Sequence, residues 1–267
     1  MRDRLVWRPK PQALPVRTLV IIPAFNEARS IGWVVGELPP GLVDEVVVVN
    51  NASTDETEMN ARAAGATVLR EDRQGYGLAC LRGIAYAREL EAKGAAPDVI
   101  VFLDGDYSDH PDELPKLLEP IRNGEADMVI GSRILGQRNG MVEPGGMLPQ
   151  ARVGNRIACG LIRLFWGVRF TDLGPFRAIR YRSLLGLEME DQTYGWTVEM
   201  QIKAARSGLR CAEVPVSYRR RIGVSKITGT VSGTIKASWK ILWTIARYAL
   251  APAPIVRRIG FQAAHQP

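Results

Sequence analysis

The sequence predicts an α/β fold in which a parallel central sheet is flanked by helices. Short apolar runs rich in valine and isoleucine alternate with longer helical stretches along the first half of the chain. This alternation is typical of right-handed βαβ units. Several apolar runs end in polar residues, and these fall at the carboxyl edge of the sheet, where open α/β sheets bind their ligands.

The elements follow in chain order. An extended arm with three prolines is predicted for residues 1–16, a main domain for 17–226, and a basic amphipathic helix with a tail for 227–267. Strands are predicted at 18–22, 45–49, 67–70, 99–103, 127–130 and 209–218. Helices are predicted at 31–38, 76–93, 112–121, 155–166, 196–207 and 230–250, and one more follows a cap at Ser53 or Thr54. The glycine-rich stretch 134–154 predicts a long mobile loop.

The strand at 99–103 leads directly into Asp104, Gly105 and Asp106. Two carboxylates one residue apart repel each other unless a cation joins them. Mg²⁺ and Mn²⁺ prefer oxygen ligands and commonly bridge a protein to a diphosphate. The strand end therefore predicts a divalent metal that carries a phosphorylated substrate, although an isolated pair of this kind is more often a polar turn.

The positive charge is concentrated at the end of the chain. The net charge is +7, and the segment from Arg219 to Pro267 holds nine Lys or Arg and no Asp or Glu. Such a segment predicts an anionic partner, which is phosphate, anionic lipid or nucleic acid.

Other features narrow the class of protein. The N-terminus lacks the apolar stretch of a signal peptide, and no apolar run reaches the length of a membrane span. Three widely spaced cysteines predict free thiols and, with them, a cytoplasmic protein. The two histidines, His110 and His265, do not form a zinc-binding pattern.

Six motifs follow one another between about Thr18 and Lys226: IIPAFNE, VVVNNASTDET, VFLDGDYSDHP, GSR, DLGPFRAI and YGWTVEM. Their order and spacing resemble those of family 2 glycosyltransferases with the GT-A fold. The resemblance is strongest to the branch that contains dolichyl- and polyprenyl-phosphate sugar synthases. The resemblance implies a mixed, mainly parallel sheet, a UDP- or GDP-sugar donor, Mg²⁺ or Mn²⁺ as cofactor, and no nucleic-acid partner.

The resemblance also implies roles for individual residues at the donor site. Asn50 and Asn51 stand where the family usually has an aspartate that contacts base or ribose, so the identity of the base is open. Asp104 would contact ribose, and Asp106 would be catalytic by holding the metal, with Asp104 as the second metal candidate. The full set implied for the donor is Pro23, Phe25, Asn26, Glu27, Asn50, Asn51, Arg73, Gly75, Asp104, Gly105 and Arg133.

The transfer chemistry requires cations for the leaving diphosphate and, for a hydroxyl acceptor, a general base. Arg221 is the first catalytic candidate among the cations, and Glu199 and Asp191 are the candidate bases. A lipid phosphate acceptor would need no strong base, because it is already an anion near neutral pH. The remaining residues implied for diphosphate or acceptor are Arg177, Arg219, Arg220, Ser225 and Lys226.

Alternatives to a lipid acceptor remain open from the sequence. The same transfer to a soluble hydroxyl is one, and a non-catalytic nucleotide-sugar-binding subunit is another. On a helical wheel, residues 230–250 show a cationic stripe beside a wide apolar arc that includes Trp239 and Trp243. This pattern predicts peripheral contact with an anionic membrane at its inner face, with packing on the core or on a second subunit as the other interpretation.

Overall fold

The computed structural model describes residues 16–223 and 231–251 of the 267-residue chain. The seven strands are β1 (Thr18–Ala24), β2 (Glu45–Asn50), β3 (Thr67–Arg70), β4 (Val99–Phe102), β5 (Met128–Ser132), β6 (Arg177–Arg180) and β7 (Cys211–Pro215). The helices are α1 (Ile31–Gly36), α2 (Thr57–Ala63), α3 (Tyr76–Ala92), α4 (Leu114–Arg122), α5 (Arg133–Arg138), α6 (Pro149–Trp166), α7 (Tyr181–Leu187), α8 (Trp196–Arg206) and α9 (Val231–Leu250).

The strands form one mixed sheet in the order β3-β2-β1-β4-β6-β5-β7. The pairs among β1, β2, β3 and β4 are parallel, as is β5 with β7, whereas β6 runs antiparallel to both β4 and β5. The predicted sheet flanked by helices is therefore confirmed. β6 was not among the predicted strands, because its sequence RAIR holds only two apolar residues between two arginines.

The hydrophobic core lies on both faces of this sheet. Along β1, Leu19 and Ile21 face one cluster while Val20 and Ile22 face the other, as strand alternation requires. The first cluster also contains Ile245 of α9, so the C-terminal helix packs on the main domain. The three cysteines are free thiols, as predicted. None of the helices within residues 16–223 and 231–251 combines the length and hydrophobicity needed to cross a bilayer.

The stretch predicted as one long loop, 134–154, is helical over 134–138 and 149–154, so the prediction of a single loop is wrong. Ser132 caps α5 by accepting a hydrogen bond from the backbone N–H of Leu135 at 3.1 Å. Pro149 begins α6, a position where proline costs no hydrogen bond. Only residues 139–148 connect the two helices. The glycines suggested a loop, but these two capping positions set the outcome.

Candidate active site

The candidate site lies at the carboxyl ends of β1, β2 and β4, which are neighbours in the sheet. The chain leaves β4 at Phe102 and reaches Asp104, Gly105 and Asp106 within four residues. Gly105 lies against β1, where an added Cβ would stand 3.3 Å from the carbonyl oxygen of Pro23. The two aspartates are therefore held beside the end of β1, at the edge where the sequence predicted a ligand.

Asp104 is the half-buried member of the pair. Its carboxylate accepts a hydrogen bond from the hydroxyl of Tyr76, at the start of α3, at 3.1 Å. Burial, reinforced by the negative charge of Asp106, raises the pKa of Asp104 to about 6. Arg221 and Arg133 lower this pKa, but their charges do not offset the effect of burial.

Asp106 is 4% exposed, and within the described residues its ion-pair partner is Arg221. Its Oδ1 accepts a hydrogen bond from the backbone N–H of Ser108 at 2.9 Å, and its Oδ2 forms an ion pair with Arg221 at 2.8 Å. Of the three consecutive arginines, Arg221 is the one that contacts the aspartates. Arg221 was the first catalytic candidate among the cations, and its catalytic role stays a prediction.

A third carboxyl, that of Asp109, lies in the same loop and was not among the predicted site residues. It is 2% exposed, and neither carboxylate oxygen has a hydrogen-bond partner in the described part of the chain. Burial raises the pKa of Asp109 well above its usual range, and the charge of Asp104 raises it further. Its place three residues after Asp106 was the one signal in the sequence that could have indicated it.

This excess of carboxyls fits a divalent cation. Across residues 16–223 and 231–251, no three Asp, Glu, His or Cys side chains converge closely enough to hold a metal by themselves. Mg²⁺ and Mn²⁺ commonly use one or two protein carboxylates and complete their ligands with substrate phosphates. The orphaned Asp109 and the raised pKa of Asp104 indicate a local deficit of positive charge that such an ion would correct.

The loop after β1 is attached to the loop after β2. Asn26 adopts a left-handed backbone with φ of 53°, and its side-chain oxygen accepts a hydrogen bond from the N–H of Thr54 at 2.8 Å. The backbone N–H groups of Asn26 and Glu27 donate to the hydroxyls of Ser53 and Thr57. The side chains of Phe25, Asn26 and Glu27 are half-buried at this edge, and Pro23 is buried within β1.

The two asparagines at the end of β2 have different surroundings. Asn51 connects β2 to the segment before α3: its amide donates to the carbonyl of Arg73 at 2.7 Å and accepts from the N–H of Gly75 at 2.8 Å. Asn50 instead lines an open cleft of about 610 Å³ at the ends of β2 and β3, where its amide donates to Glu58 at 3.1 Å. Of the two, Asn50 is the one placed to meet a ligand in that cleft.

Arg73 and Gly75, both predicted to bind the donor, also have different surroundings. The guanidinium of Arg73 is exposed and pairs with Glu71 at 3.1 Å. Gly75 lies under the segment 188–195, where an added Cβ would stand 2.3 Å from the carbonyl oxygen of Gln192. At Gly77 an added Cβ would stand even closer to this segment, 2.0 Å from the carbonyl oxygen of Asp191. These glycines let the segment 188–195 pack on the start of α3.

The two candidate bases are both engaged by other groups. Glu199 is 1% exposed, and its carboxylate accepts from the N–H of Asp191 and the hydroxyl of Tyr248, each at 2.8 Å, and pairs with Lys203 at 3.0 Å. Asp191 accepts from the N–H groups of Thr193 and Gly195 and pairs with Lys240 of α9 at 2.8 Å. The structure thus places Glu199 inside the protein as an anchor for segment 188–195.

Arg133 and Arg177 lie behind the edge of the sheet. Arg133 makes a two-pronged ion pair with the fully buried Asp172, with both nitrogen–oxygen distances 2.8 Å. Arg177 is 1% exposed and donates to the backbone carbonyls of Leu173, Gly174 and Thr197. The prediction that Arg177 contacts diphosphate or acceptor is therefore corrected: its guanidinium supports the segment before β6. In the motif DLGPFR, Asp172 therefore pairs with Arg133, and Arg177 donates to backbone carbonyls.

The two arginines before Arg221 hold neighbouring segments in place. Arg219 stacks on the ring of Tyr107 at 3.4 Å and pairs with Glu37 at 2.6 Å. Arg220 donates to the carbonyl of Pro144 at 3.0 Å, which fixes part of the connection 139–148. Arg219 also donates to the backbone carbonyl of Asp109 at 3.1 Å, and the ion pair with Asp106 is made by Arg221. The predicted Ser225 and Lys226 lie outside the described residues.

Comparison with known proteins agrees with this architecture. Residues 19–185 match the pattern of the family described as Glycosyl transferase family 2. The chain belongs to this family. The predicted membership is confirmed, and the protein is a glycosyltransferase.

Two relatives and one solved structure illustrate the likeness. The chain is 35% identical over 234 residues to the undecaprenyl-phosphate mannosyltransferase of Micrococcus luteus, which covers 82% of this chain and 90% of that protein. It is 33% identical over 221 residues to the dolichyl-phosphate hexose transferase of Haloferax volcanii, which covers 80% and 88% respectively. Glucosyl-3-phosphoglycerate synthase of Mycobacterium tuberculosis superposes with a TM-score of 0.69 at 22% identity, over 92% of this chain and 88% of that one. This last likeness confirms the GT-A fold.

The raised pKa of Asp104 predicts a pH dependence. Below about pH 6 this carboxyl carries a proton and no longer offers a charged ligand. Mn²⁺-promoted binding of a nucleoside diphosphate should therefore weaken about tenfold per pH unit below 6, measured by calorimetry. Asp104→Asn should flatten this dependence.

The raised pKa of Asp104 also favours folding at acid pH, because the folded protein keeps the Asp104 proton to higher pH than the unfolded chain does. This contribution to stability is lost as the pH rises through 6.

Proposed function

We propose that this glycosyltransferase moves a hexose from a nucleotide-sugar donor to the phosphate of a polyprenyl phosphate, with inversion at the anomeric carbon. An oxygen of the acceptor phosphate attacks that carbon, the bond to the donor's diphosphate breaks, and the nucleoside diphosphate leaves. The relatives from Micrococcus luteus and Haloferax volcanii are named for sugar transfer to undecaprenyl and dolichyl phosphate. Their names support the same acceptor class here.

The observation that carries the proposal is the state of the two candidate bases. A hydroxyl acceptor needs a carboxylate that is free to take its proton. Glu199 is buried and engaged by four donors, and Asp191 is 6% exposed at its side chain and paired with Lys240. A phosphate acceptor arrives as an anion and needs no such base. The geometry therefore favours phosphate over hydroxyl.

The remaining groups suit the charge that the reaction produces. Asp104 and Asp106 would hold Mg²⁺ or Mn²⁺, which when bound neutralises charge on the leaving diphosphate. The fold neighbour from Mycobacterium tuberculosis was crystallised with Mn²⁺ and UDP, which supports this cofactor and a nucleotide-bound donor. Arg221, 2.8 Å from Asp106, is the guanidinium placed to contact a phosphate beside that carboxylate. Asn50 is placed to contact the base or ribose.

Transfer to a soluble acceptor is the second candidate. It is favoured by one observation, that the fold neighbour is a glucosyl-3-phosphoglycerate synthase crystallised with its phosphorylated, soluble product. In that case the base role would fall to Asp191, whose backbone lies at the start of α3 beside Gly77. Lys240 would have to release its carboxylate first.

Substitution of Asp191 separates the two candidates. Donors carrying UDP, GDP or dTDP are first screened with Mn²⁺ or Mg²⁺ to find the productive sugar nucleotide. With polyprenyl phosphate as acceptor, Asp191→Asn should keep transfer within about tenfold of the parent, since no base is needed. Loss of about a hundredfold or more would indicate base catalysis and contradict the proposal. The neighbouring carboxylate Glu190, paired with Arg247 at the surface, provides the control Glu190→Gln.

A further inference from the structure

Helix α6 presents apolar side chains to solvent along one side. Val153, Ile157, Leu164 and Phe165 are between 50% and 73% exposed. The side opposite packs inward through residues such as Ala158 and Ile162. Helix α6 therefore has two apolar faces, one packed on the core and one exposed to solvent. Contiguous exposed apolar surface of this kind marks an interaction site.

Helix α9 repeats the pattern and packs beside α6. Its buried side contains Thr244, Ile245 and Tyr248. Its outward side carries Trp239, Leu242, Trp243 and Leu250, which are between 43% and 87% exposed. We call these outward apolar residues of the two helices together the α6–α9 face.

A stripe of cations flanks the apolar side on each helix. On a helical wheel of about 100° per residue, Arg152, Arg156 and Arg163 fall within one narrow sector of α6. Lys236, Lys240 and Arg247 fall within one sector of α9. Of these, Lys240 pairs with Asp191 and Arg247 pairs with Glu190. Neither helix contains an Asp or a Glu. Cations beside outward tryptophans form the pattern that an amphipathic helix shows at a lipid interface.

We propose that the α6–α9 face docks the protein on an anionic lipid bilayer. Charge complementarity selects this partner over a second copy of the chain. A symmetric dimer through the face would bring Arg156, Arg163 and Lys236 of the two copies together, and neither helix contains an acidic residue to pair with them. An anionic membrane supplies the opposite charge to the stripes and an apolar interior to the tryptophans.

The docked face also connects to the active site. Lys240 of α9 pairs with Asp191 at 2.8 Å, and the backbone of Asp191 packs on Gly77 near the start of α3. In the same turn of α3, Tyr76 donates to Asp104. Docking would therefore hold segment 188–195 near the bilayer surface. This inference concerns where the protein binds, so it stands whether or not the proposed lipid acceptor is correct.

Vesicle binding of the full chain tests the inference without any measurement of transfer. The protein should float with vesicles of phosphatidylcholine mixed with phosphatidylglycerol at low salt and bind phosphatidylcholine alone more weakly. Trp239→Ser combined with Trp243→Ser should lower binding at least about tenfold, as should Leu164→Ser combined with Phe165→Ser. Neutralising Arg156, Arg163 and Lys236 to Gln should lower binding to the anionic vesicles about a hundredfold.

Trp33 of α1 provides the matched control. It is 64% exposed, as the face tryptophans are, but lies on another helix, so Trp33→Ser should leave vesicle binding unchanged. Melting temperatures of the serine variants should equal that of the parent, because the replaced side chains are exposed. Absence of vesicle binding at low salt, or equal loss in the Trp33→Ser control, would overturn the inference. A dimer in solution that the face substitutions dissociate would assign the face to a second copy instead.

Discussion

Asp106→Asn is expected to lower sugar transfer by about a hundredfold to a thousandfold while leaving the fold intact. Asparagine has nearly the same shape, so the hydrogen bond from the N–H of Ser108 can persist. The lost charge removes both the partner of Arg221 and the carboxylate proposed to hold the metal on the diphosphate. Steady-state transfer rates with Mn²⁺ or Mg²⁺, and nucleoside diphosphate binding with and without metal, measure the effect.

Asp112 supplies the control for this substitution. Its side chain is 64% exposed six residues further along the same loop, so Asp112→Asn should retain parental activity. Full turnover of Asp106→Asn, or full turnover of the unmodified protein in EDTA, would remove the metal role from this carboxylate.

Asp172→Asn is expected to destabilise the protein by about 3–5 kcal/mol. The Asp172 side chain is fully buried and receives the backbone N–H and two guanidinium nitrogens of Arg133, each at 2.8 Å. Removing one charge of such a pair leaves the other without compensation in a water-poor site. Urea unfolding followed by circular dichroism measures the change in the free energy of unfolding.

An ion pair at the surface provides the comparison for the buried pair of Asp172 and Arg133. Glu89 pairs with Arg82 at 3.0 Å on α3, where both side chains are partly exposed, so Glu89→Gln should change stability far less. If Asp172→Asn unfolded at the parental urea concentration but lost donor affinity, Arg133 would be a donor-binding residue, as the family resemblance implied, and the structural role would be wrong.

The strand ends were the part of the site that the sequence could predict. β3 was predicted at 67–70 and is found at Thr67–Arg70, and the apolar run before Asp104 forms β4 at the centre of the sheet. Hydrophobic runs and strand-end polar residues are local features, and the topology of parallel strands brings them to one edge. This is why Asp104, Asp106 and the loop after β1 could be placed together before the structure.

The sequence could not predict which side chains of the site contact one another. The sequence gives no means of distinguishing Arg177 from Arg221. In the structure, Arg177 is buried against backbone carbonyls, whereas Arg221 pairs with Asp106. Glu199 follows a promising motif, but Tyr248, 49 residues further on, donates to its carboxylate. Such contacts depend on how distant elements pack, as does the burial of Asp109. Ser132 as the N-cap of α5 and Pro149 at the start of α6 similarly decided that helices occupy both ends of 134–154.

The central claim is that the acceptor atom is a phosphate oxygen, and competition between two matched acceptors tests it most directly. The protein is incubated with its productive nucleotide sugar, Mn²⁺, and equal amounts of a polyprenyl phosphate and the corresponding polyprenol. The account predicts that mass spectrometry finds the hexose on the phosphate only, as an acid-labile glycosyl phosphate. Hexose on the polyprenol hydroxyl, or transfer only to water-soluble alcohols added in place of both lipids, would contradict it.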